Sequence, residues 1–111
     1  TGWIECKYGN GIVPYTSNSN ARVRKIGNIV FLQGTLKNNT AWSKHDSILT
    51  FDKKFAPSQE SRFLCQGSGL NRFLLTVRTT GICKVERYGT TKSITVETGA
   101  WLNVFATWVT G

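Results

Sequence analysis

The sequence predicts an all-β chain, folded as a compact antiparallel β-barrel or sandwich, and three observations carry that prediction. Apolar side chains recur with a period of two in the best-defined segments. Glycines fall between those segments at turn-like intervals, and β-branched and aromatic residues crowd the last ten positions. A chain of 111 residues suits one domain, spanning 1–111, and 40% hydrophobic residues are enough to fold around a core rather than stay disordered.

In chain order, Trp3–Lys7 and Arg22–Ile26 give weak strand signals. Gly27-Asn28 then supplies a tight reversal, since its backbone angles are open mainly to Gly and Asn. The run Asn28–Lys37 follows: Val30, Leu32 and Leu36 share one face with Gly34 between them, and Ile29, Phe31, Gln33 and Thr35 take the other. A glycine inside a strand marks either a close approach by a neighbouring chain or aromatic ring, or a bulge. Ser17 to Asn20 and Lys37 to Thr40 read as polar loops, the second containing the glycosylation-like triplet Asn38-Asn39-Thr40. Ser47–Phe51 reads as a strand, against a rival helix over Ser43–Phe55 that would stand alone among strands. Pro57 argues for a strand end, and Arg62–Cys65 is a further short strand. Arg72–Arg78 places Phe73, Leu75 and Val77 on one face, Thr80-Gly81 turns the chain, and Ile82–Tyr88 returns as the second arm of a hairpin. Ser93–Glu97 is weak, and Trp101–Val109 reads as one long strand covered on both faces.

Fourteen Lys and Arg against six Asp and Glu leave a net charge of +8, which biases the surface toward anionic partners such as phosphate-bearing polysaccharide, nucleic acid or a membrane surface. No apolar run approaches the roughly 18 residues of a membrane span, so no membrane insertion is predicted. Cys6, Cys65 and Cys83 allow at most one bridge and no disulfide scaffold; within apolar runs they read as buried free thiols. A zinc site would need all three to converge with His45 from unrelated segments, so neither metal nor cofactor is predicted. Catalysis finds little material. Glu86 and Glu97 are the one carboxylate pair placed to test for glycoside hydrolysis, His45-Asp46 lacks a nucleophile elbow, and Gly67-Ser68-Gly69 lacks the ending of a phosphate loop.

The stretch Arg24-Lys25-Ile26-Gly27-Asn28-Ile29-Val30-Phe31-Leu32-Gln33-Gly34 resembles the opening hairpin of C-terminal head domains in phage tail receptor-binding proteins. Gly2-Trp3-Ile4, Asp52-Lys53-Lys54-Phe55-Ala56-Pro57 and Thr80-Gly81-Ile82-Cys83 fit the same template in the same order, most like the heads of lactococcal siphophages, with Asp52 standing where that template has a proline. The resemblance implies a homotrimeric β-barrel or sandwich at the tail tip or baseplate of a virion, binding cell-wall saccharide of a Gram-positive host. It also implies upstream stalk and shoulder domains that would meet the other tail proteins; Thr rather than Met at position 1 is what a processed or excised chain would show.

Saccharides offer apolar ring faces and many hydroxyls, so their sites pair aromatic platforms with planar hydrogen-bonding groups. Trp42, His45 and Asp46 combine these in one stretch, Glu86, Arg87 and Tyr88 in another, and Arg72 and Arg78 bracket the hairpin with forks suited to phosphate or carboxylate. Each has a plainer reading: Trp42 in the core, His45-Asp46 as a solvated turn, Glu86-Arg87 as a cross-strand ion pair. Trp3, Trp101 and Trp108 are assigned to the core or to subunit contact. Two rivals to a receptor-binding head remain. One is a trimerising structural tail module. The other is a nucleic-acid-binding barrel, disfavoured because no Lys-Gly-Phe-Gly-Phe type of motif gathers the aromatics on one strand face.

Overall fold

Twelve strands, one 3-10 turn and no α-helix make up the described residues of the computed structural model, which are 2–40, 45–89 and 96–110, with the side chains of 45 and 46 left out. The strands are β1 (Ile4–Glu5), β2 (Lys7–Tyr8), β3 (Ile12–Pro14), β4 (Arg22–Ile26), β5 (Ile29–Gln33), β6 (Thr35–Asn38), β7 (His45–Thr50), β8 (Ser61–Gln66), β9 (Arg72–Val77), β10 (Ile82–Gly89), β11 (Trp101–Asn103) and β12 (Ala106–Val109). They form three antiparallel sheets, in the orders β1-β4-β5-β12, β2-β7-β10-β9-β8 and β11-β6-β3. Among the described residues no strand pairing closes a barrel.

The predicted period holds where it was clearest. Val23, Val30 and Leu32 point inward from the first sheet, Phe73, Leu75, Val77, Cys83 and Val85 from the second, and Leu36 and Leu102 from the third, all within one buried cluster. The turn residues also do what their chemistry suggests. Gly27 sits at φ 60 in the two-residue reversal between Ile26 and Ile29, and Gly81 at φ 91 closes the β9–β10 hairpin against the Phe51 carbonyl. The helix over Ser43–Phe55 does not form. β7 takes its first half, and Asp52 then accepts from the Lys54 amide at 2.9 Å to start the 3-10 turn Lys53–Phe55.

Three runs that read as single strands are each divided between two sheets. Trp3–Lys7 breaks at Cys6 into β1 and β2, Asn28–Lys37 breaks at Gly34 into β5 and β6, and Trp101–Val109 breaks at Val104-Phe105 into β11 and β12. The last run is covered on one face only, because Leu102, Val104 and Trp108 are buried while Phe105 and Val109 are exposed. At Gly34 the close approach comes from the chain's own backbone: a Cβ there would lie 2.6 Å from Ala21 Cα. The Lys37 to Thr40 loop is also corrected. Asn38 ends β6, is fully buried, and donates its amide to the Val96 and Glu97 carbonyls at 3.2 and 3.0 Å, which withdraws it from any modifying enzyme. The Ser93–Glu97 strand lies mostly outside the described residues.

Trp108 joins the layers. Its ring stacks on Phe51 at 5.7 Å and tilts against Phe63 at 5.9 Å, and its Nε1 donates to the Phe55 carbonyl at 2.6 Å. One strand of the first sheet thus holds the second sheet and the 3-10 turn together.

Candidate functional site

Of the residues singled out for binding, Trp42 lies outside the described residues, and only the backbone of His45 and Asp46 is described, at the start of β7 with His45 opposite Val85. Arg72 and Arg78 flank the two ends of β9, six residues and about 20 Å apart at ~3.3 Å per residue. Arg78 and Glu86 are drawn into one polar array on the outer face of the second sheet. Arg78 Nε lies 3.7 Å from Glu60, Glu60 lies 3.0 Å from Arg62, and Arg62 Nε and Lys84 Nζ lie 3.4 and 3.7 Å from Glu86. The Thr76 hydroxyl donates to the same Glu86 carboxylate. The cross-strand ion pair read for Glu86 therefore forms with Arg62 rather than with Arg87.

Arg87 and Tyr88 part company at a bulge. The β9–β10 register shifts between Glu86 and Gly89, with Arg87 at φ 55, and the extra residue turns Tyr88 inward. The Tyr88 ring is 1% exposed, stacks on Phe73 at 6.4 Å and closes over Gly67, so it is no surface platform. Its hydroxyl donates to Glu97 at 3.3 Å and accepts from Asn71 at 3.2 Å. Glu97 is thus bonded to a core tyrosine while Glu86 is bonded to the outer array, and the two carboxylates do not act as a facing pair.

The Thr76 hydroxyl, with Lys84 and Arg62 beside it, holds the Glu86 carboxyl below its ordinary value near 4.5. A depressed acid contributes stability above its unfolded pKa, and that contribution is lost as pH falls through the folded value. Glu86→Gln is therefore expected to lower stability by about 1 kcal/mol at pH 7, discounted for partial exposure, with the gap closing as pH falls below 4.5 and through the lowered folded value. Urea denaturation of both proteins over a series of pH values from 7 downward reads this directly; a gap that does not shrink as pH falls would mean the carboxylate's charge is not what matters.

A more concave surface lies on the outer face of the first sheet. Val23, Val30, Leu32 and Trp108 face the core, so the alternate positions of β1, β4, β5 and β12 point outward. Phe31 from β5, with Trp3 just before β1 and Phe105 just before β12, stands around a groove of about 400 Å³, with Arg24, Gln33 and Thr107 as its polar groups. Such a volume lies at the small end of the range of ligand pockets, about 300–1,000 Å³. A second depression of about 180 Å³, lined by Asn18, Asn20, Arg22 and Thr35, adjoins it and shares Gln33 and Phe105.

Arg22 fixes the wall between them. Its guanidinium lies over the Trp3 ring at 4.6 Å. With the Gln33 amide turned so that its oxygen faces Arg22, that oxygen accepts from Nη2 at 2.9 Å and Nε at 3.1 Å. Asn20 donates to Glu5 at 2.6 Å and braces the same edge. Assigning Trp3 to the core or to subunit contact missed this groove. The signal available in sequence was the outward phase of Arg22, Arg24, Phe31 and Gln33, which adjacency along the chain does not bring together.

The thiols offer no nucleophile. Cys6, Cys65 and Cys83 are free and buried; burial pushes the Cys6 thiol up to about 12 and raises Cys65 and Cys83 as well, so all three stay protonated. Among the described residues no three His, Cys, Asp or Glu side chains gather as a metal site would need.

No protein-family model matches the chain, and no curated protein matches it in sequence. Among solved structures it is similar to the receptor binding protein (gp15) of Listeria phage PSA, with a TM-score of 0.68 and 14% identity, over 99% of this chain and 65% of that one. The likeness establishes a shared fold, and the chain spans just under two thirds of that protein's length.

Proposed function

We propose that the chain is a host-recognition head of a phage tail, holding a cell-surface saccharide in the groove of the first sheet without cleaving it. The observation that carries this reading is the groove itself: three aromatic side chains around a concave floor, interleaved with an amide, a guanidinium and a hydroxyl. Apolar ring faces of a sugar suit the former and its hydroxyls suit the latter. The shared fold with a phage receptor binding protein supports the same assignment. In this reading the head sits at the tail tip or baseplate as a homotrimer, with its other tail contacts made outside this chain. Ile26, Ile29 and Val109 stand opposite one another across β4, β5 and β12, each more than 40% exposed, and offer an apolar row to neighbouring copies. Three weak sites per trimer would gain through effective concentration. The host is Gram-positive, with lactococcal wall phosphopolysaccharide as the first ligand to test.

The test is retention on immobilised wall polysaccharide, measured on protein whose oligomeric state is read by sedimentation. Trp3→Ala and Phe105→Ala are each expected to weaken retention about tenfold, the equivalent of ~1.4 kcal/mol. Loss of retention in Trp42→Ala or His45→Ala, with Trp3→Ala silent, would move the site to the 42–46 stretch. Retention of no saccharide would leave a structural trimerising module. Binding to DNA that falls steeply with salt would instead favour the nucleic-acid reading.

A further inference from the structure

The groove over β4, β5 and β12 is two depressions of different chemistry. The larger is walled by the rings of Trp3, Phe31 and Phe105; the smaller, at about 180 Å³, is too small for a drug-sized ligand and is lined by Asn18, Asn20 and Thr35. Between them stands a saddle. Gln33 and Phe105 line both sides, and Arg22 lines the smaller depression while its guanidinium covers the Trp3 ring that walls the larger.

The saddle is preorganised. Arg22 is held by a ring beneath it and by two hydrogen bonds to Gln33, which take two of its five N–H groups and leave the others as donors at the crest. On the small side, Thr35 gives its hydroxyl proton to Asn103 Oδ1 at 2.7 Å, and Asn20 gives an amide proton to Glu5. Each keeps an oxygen able to accept a further hydrogen bond, and Asn20 keeps a second amide N–H as well. Donors at the crest and acceptors in the floor match hydroxyl groups, each of which both donates and accepts.

We infer that the groove takes an oligosaccharide of at least two sugar units. One unit lays its ring face on the aromatic depression, the next is hydrogen-bonded in the amide-lined depression, and the linkage between them crosses the Arg22–Gln33 saddle. This rests on the saccharide-binding reading above and adds to it a minimum ligand length and a division of labour between two halves of the groove. A single sugar can satisfy only one half, so affinity should rise sharply from one unit to two and level off beyond the length of the groove.

The experiment is calorimetric titration of the intact protein with mono-, di- and tetrasaccharide pools cut from the wall polysaccharide that it retains. The disaccharide pool is expected to bind at least tenfold more tightly than the monosaccharide pool, with little further gain for the tetrasaccharide. The double variant Asn18→Ala, Asn20→Ala should bring that ratio close to one, whereas Phe105→Ala weakens every pool; melting temperatures check that both variants fold. Equal affinity for mono- and disaccharide pools overturns the two-unit groove while leaving the saccharide reading intact. A length preference that survives the double asparagine variant overturns it too, since the second unit would then lie elsewhere. Failure to retain intact polysaccharide removes the functional reading, and this inference with it.

Discussion

Trp108→Ala is expected to lower the unfolding free energy by about 3–5 kcal/mol, the range for truncating a buried large aromatic. The side chain is 6% exposed and touches three separate elements: Phe51 after β7, Phe63 on β8 and the Phe55 carbonyl of the 3-10 turn. None of the three can close the vacancy without pulling away from the other two, so the cavity stays open. Since domains are typically stable by only about 5–15 kcal/mol, the loss takes a large share of the total. Trp108→Phe separates the contributions. It keeps a ring between Phe51 and Phe63 but leaves the Phe55 carbonyl without its donor, at a cost of about 1–3 kcal/mol. Urea midpoints at constant m-value measure both. A loss under 1 kcal/mol for the alanine variant would show that the layers are not held together at this point.

Gly34→Ala should be nearly as damaging, for the opposite reason. Substituting alanine for glycine in extended backbone usually stabilises by about 0.4–1 kcal/mol through the unfolded chain. Here the added Cβ would meet Ala21 Cα at 2.6 Å, Ala21 N at 3.0 Å and Ala21 Cβ at 3.1 Å. Two of those three are backbone atoms, and no flexible side-chain tip can swing aside. Relief requires separating the segment before β4 from the β5–β6 junction, where Gly34 also accepts from the Val104 amide at 2.9 Å. The expected loss is about 2–3 kcal/mol, or roughly 10 °C in Tm. Gly2→Ala, with open space around it, is the control and should leave Tm unchanged.

These two positions also show what could be read along the chain and what could not. Alternation identified the inward faces of β5 and β9, whose period is local and clear, and marked β4, β8 and β10 as strands without assigning their faces. The breaks at Cys6, Gly34 and Val104-Phe105 were hidden because the alternation runs through them without a missed step. Val30, Leu32 and Leu36 all face inward although two sheets divide them. Where a strand changes layer is decided by what packs against it. β3 was passed over because three residues, Ile12–Pro14, are too few to show a period. Tyr88 was grouped with Glu86 and Arg87 as one binding stretch by adjacency, but the bulge at Arg87 turns it inward, and an arginine gives no warning of a positive φ. Apart from Arg72 and Arg78, the binding residues chosen from the sequence were neighbours along the chain, whereas the groove draws Trp3, Arg24, Phe31 and Phe105 from four separate segments.

The groove's wall has an unequal footing. Trp3 precedes β1, a strand of two residues that among the described residues pairs with β4 alone, while Phe31 sits in the centre of β5 with partners on both sides. Edges this short open locally at little cost, on a far faster clock than the whole molecule unfolds. The indole is therefore the part of the wall nearest a fraying margin, and what pins it is the Arg22 guanidinium lying over its ring at 4.6 Å, itself anchored to the better-paired interior of the sheet.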